Sequence, residues 1–429
     1  MKQEKHVPKR RFRAFAEEWN ETPFDEVFDT SVPTNTFARD DLNDVAGTVR
    51  NIHYGDVLIK YSAIVDAQKE EIPYLNEGIS IITDERQYLQ NGDVVMADTA
   101  EDETAGKVVE LENAEEHSMI AGLHTMVLRP TFPFGAKFLG YKLNAPSYHE
   151  QLIPLMQGTK VTSVNKQALS ETNIAYPSNL AEQERIGEFL YRLDALLSIH
   201  ERKLQKLEHL KQAYLAEMFP AKGERQPRRR FKGFSGDWDG KTLGELLAFS
   251  NGFNGSREMY GHGIKYISVM DILNNDYIVY DNIRGQVDVS EETAKTFAVT
   301  YGDVLFQRSS ETFDEAGTSN VYVDADRPAV FGGFVICGTK VEEYDPFFMK
   351  HLLDTKPVRH QIISTAQGAQ HINVGQESLS HVQIFLPSMN EQQKIGAFFR
   401  IMDKKLQSEQ QKLAKLRALK QAYLSELFV

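Results

Sequence analysis

The residues best suited to chemistry in this chain are polar and lie in short loops. One loop is Gln307-Arg308-Ser309-Ser310-Glu311-Thr312, with Ala97-Asp98-Thr99-Ala100-Glu101-Asp102 as its counterpart. A second pair is Gln157-Gly158-Thr159-Lys160 and Gln367-Gly368-Ala369-Gln370-His371. Tyr260, Lys265 and Tyr266 add a basic–aromatic cluster. Arg and Gln side chains match guanine and adenine edges in the major groove, and Ser and Thr can take phosphates. Glycine in such a loop permits close backbone approach. The candidate DNA contacts are Thr99, Lys160, Lys265, Tyr266, Arg308, Ser309, Ser310, Thr312, Gln370 and His371. Taken singly, each reads more readily as part of an ordinary exposed loop; only their clustering singles them out.

Catalytic signatures are missing. No G-x-x-x-x-G-K-[ST] loop is present, so ATP hydrolysis by this chain is not expected. Gly261-His262-Gly263 and Phe331-Gly332-Gly333-Phe334 are not dinucleotide fingerprints. Asp345-Pro346-Phe347-Phe348 is a poor echo of the Asn-Pro-Pro-aromatic motif of amino-methyltransferases and reads as a domain turn. There is no G-x-S-x-G elbow. The 12 histidines do not fall into a metal-ligand spacing. The lone Cys337 excludes a disulfide framework and sits in an apolar run, where a packed thiol is expected. The expectation is a binding protein with no catalytic residues, no metal and no cofactor.

Composition is that of an ordinary globular protein long enough for two or three domains. No run approaches ~18 apolar residues, and Met1-Lys2-Gln3-Glu4-Lys5 lacks an apolar signal core. A cytoplasmic protein without a membrane partner is expected. The net charge of −13 argues at first against nucleic acid. Affinity depends on local patches, however, and net charge governs long-range steering. Lys222, Arg225, Arg228, Arg229, Arg230 and Lys232 cluster against Glu224 alone; Lys2, Lys5, Lys9, Arg10, Arg11 and Arg13 do so against Glu4. Such runs are either basic patches or solvated linkers.

The elements that must position these loops are written twice. Leu210-Lys211-Gln212-Ala213-Tyr214-Leu215 returns as Leu419-Lys420-Gln421-Ala422-Tyr423-Leu424. Arg11-Phe12 and Trp19 return as Arg230-Phe231 and Trp238, 219 residues on. Gly92-Asp93-Val94 returns as Gly302-Asp303-Val304, at an offset of 210. A repeat of half the chain is too long for a solenoid and marks a duplicated module. The matches are dense at both ends of each half and sparse between, as in a shared frame carrying two different readers.

After Pro177 and Pro387 the pattern turns helical. Asn390 is a candidate cap, and Glu182 and Glu391 put acids in the first turn. Apolar residues then recur at steps of three and four: Leu190, Leu193, Leu197, Leu204 and Leu207 in the first helix, and Phe399, Met402, Leu406, Leu413 and Leu416 in the second. This is a coiled-coil seam. Both seams are interrupted at matching points, by His200 and Glu409 and by Lys211 and Lys420, which would fix register. Antiparallel pairing within one chain is expected; the alternative is that each helix packs on its own domain. The span 181–218 would be roughly 57 Å long at ~1.5 Å per residue. That exceeds one duplex turn, roughly 34–36 Å.

The middles read as strand-rich, each as an α+β domain with a curved mixed sheet. The strand candidates are Val57–Tyr61, Val94–Met96, Tyr266–Val269, Val304–Phe306 and Phe334–Ile336, several entered by Gly-Asp turns. The division is 1–179 for an N-terminal segment and first recognition domain, 180–219 for the first spacer helix, and 220–240 for a basic linker. Residues 241–389 form a second domain and 390–429 a second helix. The fold class is α+β: two pseudo-symmetric domains joined by two long antiparallel helices.

The strings Gln157-Gly158…Leu169-Ser170…Ile174…Tyr176-Pro177…Glu182-Gln183…Ile186…Leu190…Leu193-Asp194 and Gln367-Gly368…Leu379-Ser380…Ile384…Leu386-Pro387…Glu391-Gln392…Ile395…Phe399…Met402-Asp403 carry a resemblance. They resemble the specificity subunit of type I restriction–modification enzymes, over the whole chain. The resemblance implies two target-recognition domains, each contacting one half of a split double-stranded DNA site, with two long helices setting the gap. It also implies docking of two methyltransferase subunits, with motor–nuclease subunits joining that core, and no chemistry by this subunit. Recognition domains of the family vary, so base-contacting residues do not carry over by motif. A coiled-coil scaffold that reads no DNA is the competing reading, and the length and missing motifs disfavour a fused restriction–modification enzyme.

Overall fold

The computed structural model describes residues 7–79, 81, 84–158, 160–368 and 371–429. It divides into two compact units, Met1–Glu201 with Lys412–Val429, and Arg202–Gln411. Two long helices, α1 (Leu180–Met218) and α2 (Met389–Glu426), each contribute a stretch to both units. The Asn179 side chain caps α1 by accepting from Ala181 N at 2.9 Å. Asn390, the expected cap of α2, lies inside its first turn instead. The Ser388 carbonyl already accepts from Glu391 and Gln392 N–H, so the helix begins one residue before Asn390.

In the first unit, Asp194 on α1 pairs with Lys420 on α2 at 2.5 Å, and Glu201 pairs with Arg417 at 2.8 Å. In the second, Lys203 pairs with Glu409 and Lys211 with Asp403, both at 2.7 Å. As residue number rises on α1 it falls on α2, so the helices run antiparallel in each unit. Leu190, Leu193, Leu197 and Leu413 are buried in the first, and Phe399, Met402 and Leu406 in the second; Leu204, Leu207 and Leu416 are half-buried. The charged interruptions of the seam are therefore paired. Lys211 and Lys420 each reach an aspartate on the opposite helix, and Glu409 is buried against Lys203.

The repeated helix ends are core residues. Trp19 packs edge-on against Phe138 and Phe428, and Trp238 against Phe219 and at a tilt against Phe348. Phe428, from the end of α2, thus belongs to the core of the first unit, and Phe219, from the end of α1, to that of the second. Burying an aromatic side chain contributes about 1.5–3 kcal/mol, which fastens each helix end to its unit.

Among the described residues each unit holds two sheets of four or five strands, where the sequence leads one to expect one curved sheet. In the first unit the five-stranded sheet runs Phe28–Asp29, Thr125–Pro130, Val94–Ala97, Val108–Glu112, Ile64–Asp66. Only the last pair is parallel. A four-stranded sheet beside it pairs Met119–Ala121 in parallel with Arg50–Ile52. In the second unit Leu247–Asn251, Val335–Lys340, Val304–Gln307 and Ser319–Val321 form an antiparallel sheet. Its companion pairs Tyr260–Ile267 in parallel with Ala329–Phe331. Among the described residues each unit has two main core clusters, one of which shares residues with the long helices, and the first unit has a further small one around Val49, Leu75 and Ile120.

The run Val57–Tyr61, expected as a strand, instead forms the end of a helix, Tyr54–Ile59, and the turn that leaves it. His53 Nδ1 caps it by accepting from Gly55 N at 3.1 Å, and Asp56 sits in the first turn. Val57 is buried while Ile59 is 87% exposed, so capping and one-sided burial override the β-propensity of this apolar run. Likewise Tyr266–Val269 splits into the end of a strand and the start of a helix, Val269–Leu273, where Ser268 and Asp271 form a capping box. Among the described residues no helix is long and apolar enough to cross a membrane, and no group of His, Cys, Asp or Glu could hold a metal ion. Cys337 is fully buried, and burial pushes its thiol pKa up, away from reactivity.

Candidate nucleic-acid interface

Two loops distant in sequence meet in each unit. Ser309–Ser310 pairs antiparallel with Ile372–Asn373, and Thr99–Ala100 with Thr162–Ser163. A reciprocal pair of backbone hydrogen bonds closes each turn, Gln367 with Asn373 and Gln157 with Ser163. Gly368 and Gly158 make these turns possible. Both have positive φ, +134° and +105°, and a Cβ would collide with the carbonyl of His371 or Val161. The close approach expected of these glycines is thus to their own loop.

A third segment completes the frame. Arg308 N donates to Phe334 O at 2.9 Å, and its carbonyl accepts from Val374 N at 3.0 Å. In the first unit Asp98 N donates to His124 O at 3.1 Å, and its carbonyl accepts from Val164 N at 2.8 Å. Residues 98 and 308 therefore occupy equivalent positions in a repeated backbone scaffold, each bonded to the turn of its own unit, Gly122–His124 for Asp98 and Gly332–Phe334 for Arg308.

The side chains on that scaffold differ. In the second unit Arg308 is exposed and borders a cleft of about 530 Å³ with Gln367, Asn373, Gln376, Ser378 and Asn251. Phe334, 69% exposed, stands beside it. Ser309 Oγ donates to Asn373 Oδ1 at 2.5 Å. Ser310 is buried and donates to Thr312 O at 2.7 Å, whereas Thr312 and His371 are exposed. Gln370 lies outside the described residues. Tyr266 lies with its hydroxyl against Gly332, its ring edge-on to Tyr260 at 5.2 Å, and burial raises its pKa. Lys265 is half-buried and gives its ammonium to Ile283 O at 2.7 Å. The Tyr260–Tyr266 pair and Arg308 thus flank the same turn, while Lys265 is spent on a carbonyl.

In the first unit Asp98 and His124 stand where Arg308 and Phe334 do. Thr99 Oγ1 donates to Asp98 Oδ1 at 2.8 Å, and His124 Nδ1 lies 3.6 Å from the same oxygen. The His124 ring is edge-on to Tyr54 at 5.3 Å. His53, beside Tyr54, has its pKa lowered by burial, which favours the neutral ring. Lys160 is exposed on the adjoining loop. Asp98 lies in a loop singled out from the sequence, and Phe334 in an apolar run, but neither is among the candidate contacts; His124, Tyr54 and Asn373 are not singled out there at all. The offset of 210 that relates the two halves was the signal that marks Asp98 and His124.

The basic runs serve a different purpose. Arg11 forms a bidentate pair with Glu182, and Arg230 forms one with Glu391, each at 2.6 and 2.7 Å. Both glutamates are fully buried. The next residues repeat as well: Gln183 bridges Gly135 N and Pro177 O, and Gln392 bridges Asp345 N and Pro387 O. Arg10 is paired with Glu426 and Arg229 with Glu217. These arginines clasp each N-terminal segment to a helix, so they are not uncommitted basic patches.

The model of the type I restriction modification DNA specificity domain matches this chain twice, over residues 18–209 and 235–418. The chain belongs to that family. The repeated frame just described is therefore that of two target-recognition domains, joined by α1 and α2. Its fold is similar to the crystal structure of the type I restriction-modification system S subunit from M. genitalium, with 16% identity, 99% of both chains covered and a TM-score of 0.60. It is also similar to a chain solved in work on complex assembly and conformational transition of the type I R-M system, with 18% identity, 95% of this chain and 96% of that chain covered, and a TM-score of 0.51. No match is found among curated proteins. Membership of a DNA-specificity family does not favour the scaffold reading.

Proposed function

We propose that this chain is the DNA sequence-recognition subunit of a type I restriction–modification complex. Each recognition domain reads one half of a split double-stranded site, α1 and α2 set the gap, and methylation and cleavage are carried out by partner subunits. The observation that carries this reading is the match of both halves to one DNA-specificity domain, on a frame that presents unlike side chains at like positions. Two methyltransferase subunits dock on this chain, and motor–nuclease subunits join through that core. The solved relative from the type I R-M assembly supports such partners in kind.

The test is DNA binding by this chain with and without its methyltransferase subunits, against duplexes of varied sequence and salt. Sequence-specific binding that appears or sharpens with the partners is expected, by roughly 10³-fold or more over non-specific duplex. A complex that assembles but binds all duplexes alike would overturn the proposal.

A further inference from the structure

We propose that positions 98 and 308 are the base-reading positions of the two domains, with Arg308 taking a guanine and Asp98 an exocyclic amino group, the N4 of cytosine or N6 of adenine. The inference rests on the DNA-recognition reading and adds the chemistry that each half-site must offer. Three features of the structure support it.

First, the backbone of both residues is fixed in the same way. Each is held by one donated and one accepted hydrogen bond to two separate loops, and each precedes a two-residue ladder. A group held this way is pre-organised for a partner. Second, both side chains keep hydrogen-bonding groups unspent, Arg308 exposed and Asp98 half-buried. Among the described residues the guanidinium of Arg308 makes one long contact, 3.4 Å to Gly333 O, in contrast to Arg11, Arg129 and Arg230, which are spent on carboxylates. Asp98 is oriented through Oδ1 by Thr99 and His124, and no partner of its Oδ2 is found among the described residues. Third, the two groups are opposites in hydrogen bonding. Guanidinium presents a fork of donors that matches guanine O6 and N7; carboxylate accepts only, which suits an amino group. A shared frame with complementary chemistry at one position is what two readers of unlike half-sites need.

The test uses this chain assembled with its methyltransferase subunits, and maps the methylated sequences in host DNA. Arg308→Gln and Arg308→Lys should each relax one guanine position in one half-site, lowering the preference roughly 10- to 100-fold, and leave the other half-site intact. Asp98→Asn should relax one position of the other half-site, and the base lost tells cytosine from adenine. If the unaltered complex shows no base preference at all, the recognition reading itself fails. If it shows a split motif that the folded Arg308 and Asp98 variants keep in full, or weaken equally in both halves, only the assignment of these positions fails.

Discussion

The two domains bury different charges beneath the same surface. In the first, Glu110 pairs with Val94 across the sheet; in the second, Val321 pairs with Val304, the repeat of Val94. Glu110 is buried and caps the start of the helix Phe138–Leu143 by accepting from Lys137 N and Gly140 N. The second domain needs no such carboxylate, because Asp345 caps its own helix, Pro346–Leu353, through Phe348 N. The aspartates on the long helices differ in the opposite sense. Asp194 takes Lys420 and Tyr141; Asp403 takes Lys211, His351 and Tyr277 and is more deeply buried. The repeat thus holds the helix seam, the clasp and the loop frame constant, and leaves the sheet interior and the loop tips to vary. Difference is tolerated wherever a local substitute satisfies the same backbone groups.

The clasps offer the largest test of that equivalence. Glu182→Ala and Glu391→Ala each strand a largely buried arginine, and removing one partner of a buried pair costs about 3–5 kcal/mol. Loss of stability of that size is expected from each in chemical denaturation, with hydrogen exchange rising first in the domain that carries the substitution. Equal exchange in both domains, or a loss under about 1 kcal/mol, would show that the clasps do not hold their own domains.

A second test uses pH. Burial raises the Glu110 carboxyl to about 7, against the two backbone donors that oppose it. A folded pKa above the unfolded value means that the neutral form is favoured by folding. Its contribution is greatest below about pH 4.5 and falls as pH rises toward about 7, by about 3 kcal/mol in all. Glu110→Gln should remove that fall from the first domain and leave the second unchanged; the measurement is domain-resolved hydrogen exchange from pH 5 to 8. Asp403 behaves inversely. Burial opposes its ionisation, but hydrogen bonding and charge from His351 and Lys211 prevail and hold its pKa below the usual range. It stabilises the second domain above the ordinary carboxylate pKa, and that stability is lost as pH falls through the depressed value. Asp403→Asn should therefore flatten the acid limb of the second domain alone, followed by its acid unfolding.

Helix entry provides the smallest effect. Asn179 caps α1 through its side chain, and Asn179→Ala should cost about 1 kcal/mol in thermal unfolding. Asn390→Ala should cost less, since Asn390 is inside the first turn of α2. Equal costs would show that sequence position, not geometry, identifies the cap.

Much of this architecture was legible in the sequence because it is periodic or repeated. The seam follows from the spacing of Leu190 to Leu207 and Phe399 to Leu416, and the Lys211 and Lys420 interruptions were visible before their aspartate partners were. The helix Tyr54–Ile59 was not legible, because its apolar run is as short as a strand and its cap is a histidine. The clasps were hidden too: Arg11 and Glu182 lie 171 residues apart, and nothing local ties a basic run to a buried carboxylate. At the interface, Arg308 and Ser309 stood out by type. Asp98 and His124 did not, since an acid looks unsuited to DNA until the repeat places it on the arginine's position.

On the proposed function, one repeated frame carries two unlike readers and the long helices hold their spacing. Mapping the methylated motif of the assembled complex, with this chain unaltered and with one heptad inserted into both long helices, decides this. Two unlike half-sites around a fixed gap are expected, and after insertion the same half-sites with a changed gap. A contiguous motif, two identical half-sites, or half-sites rewritten by the insertion would contradict it.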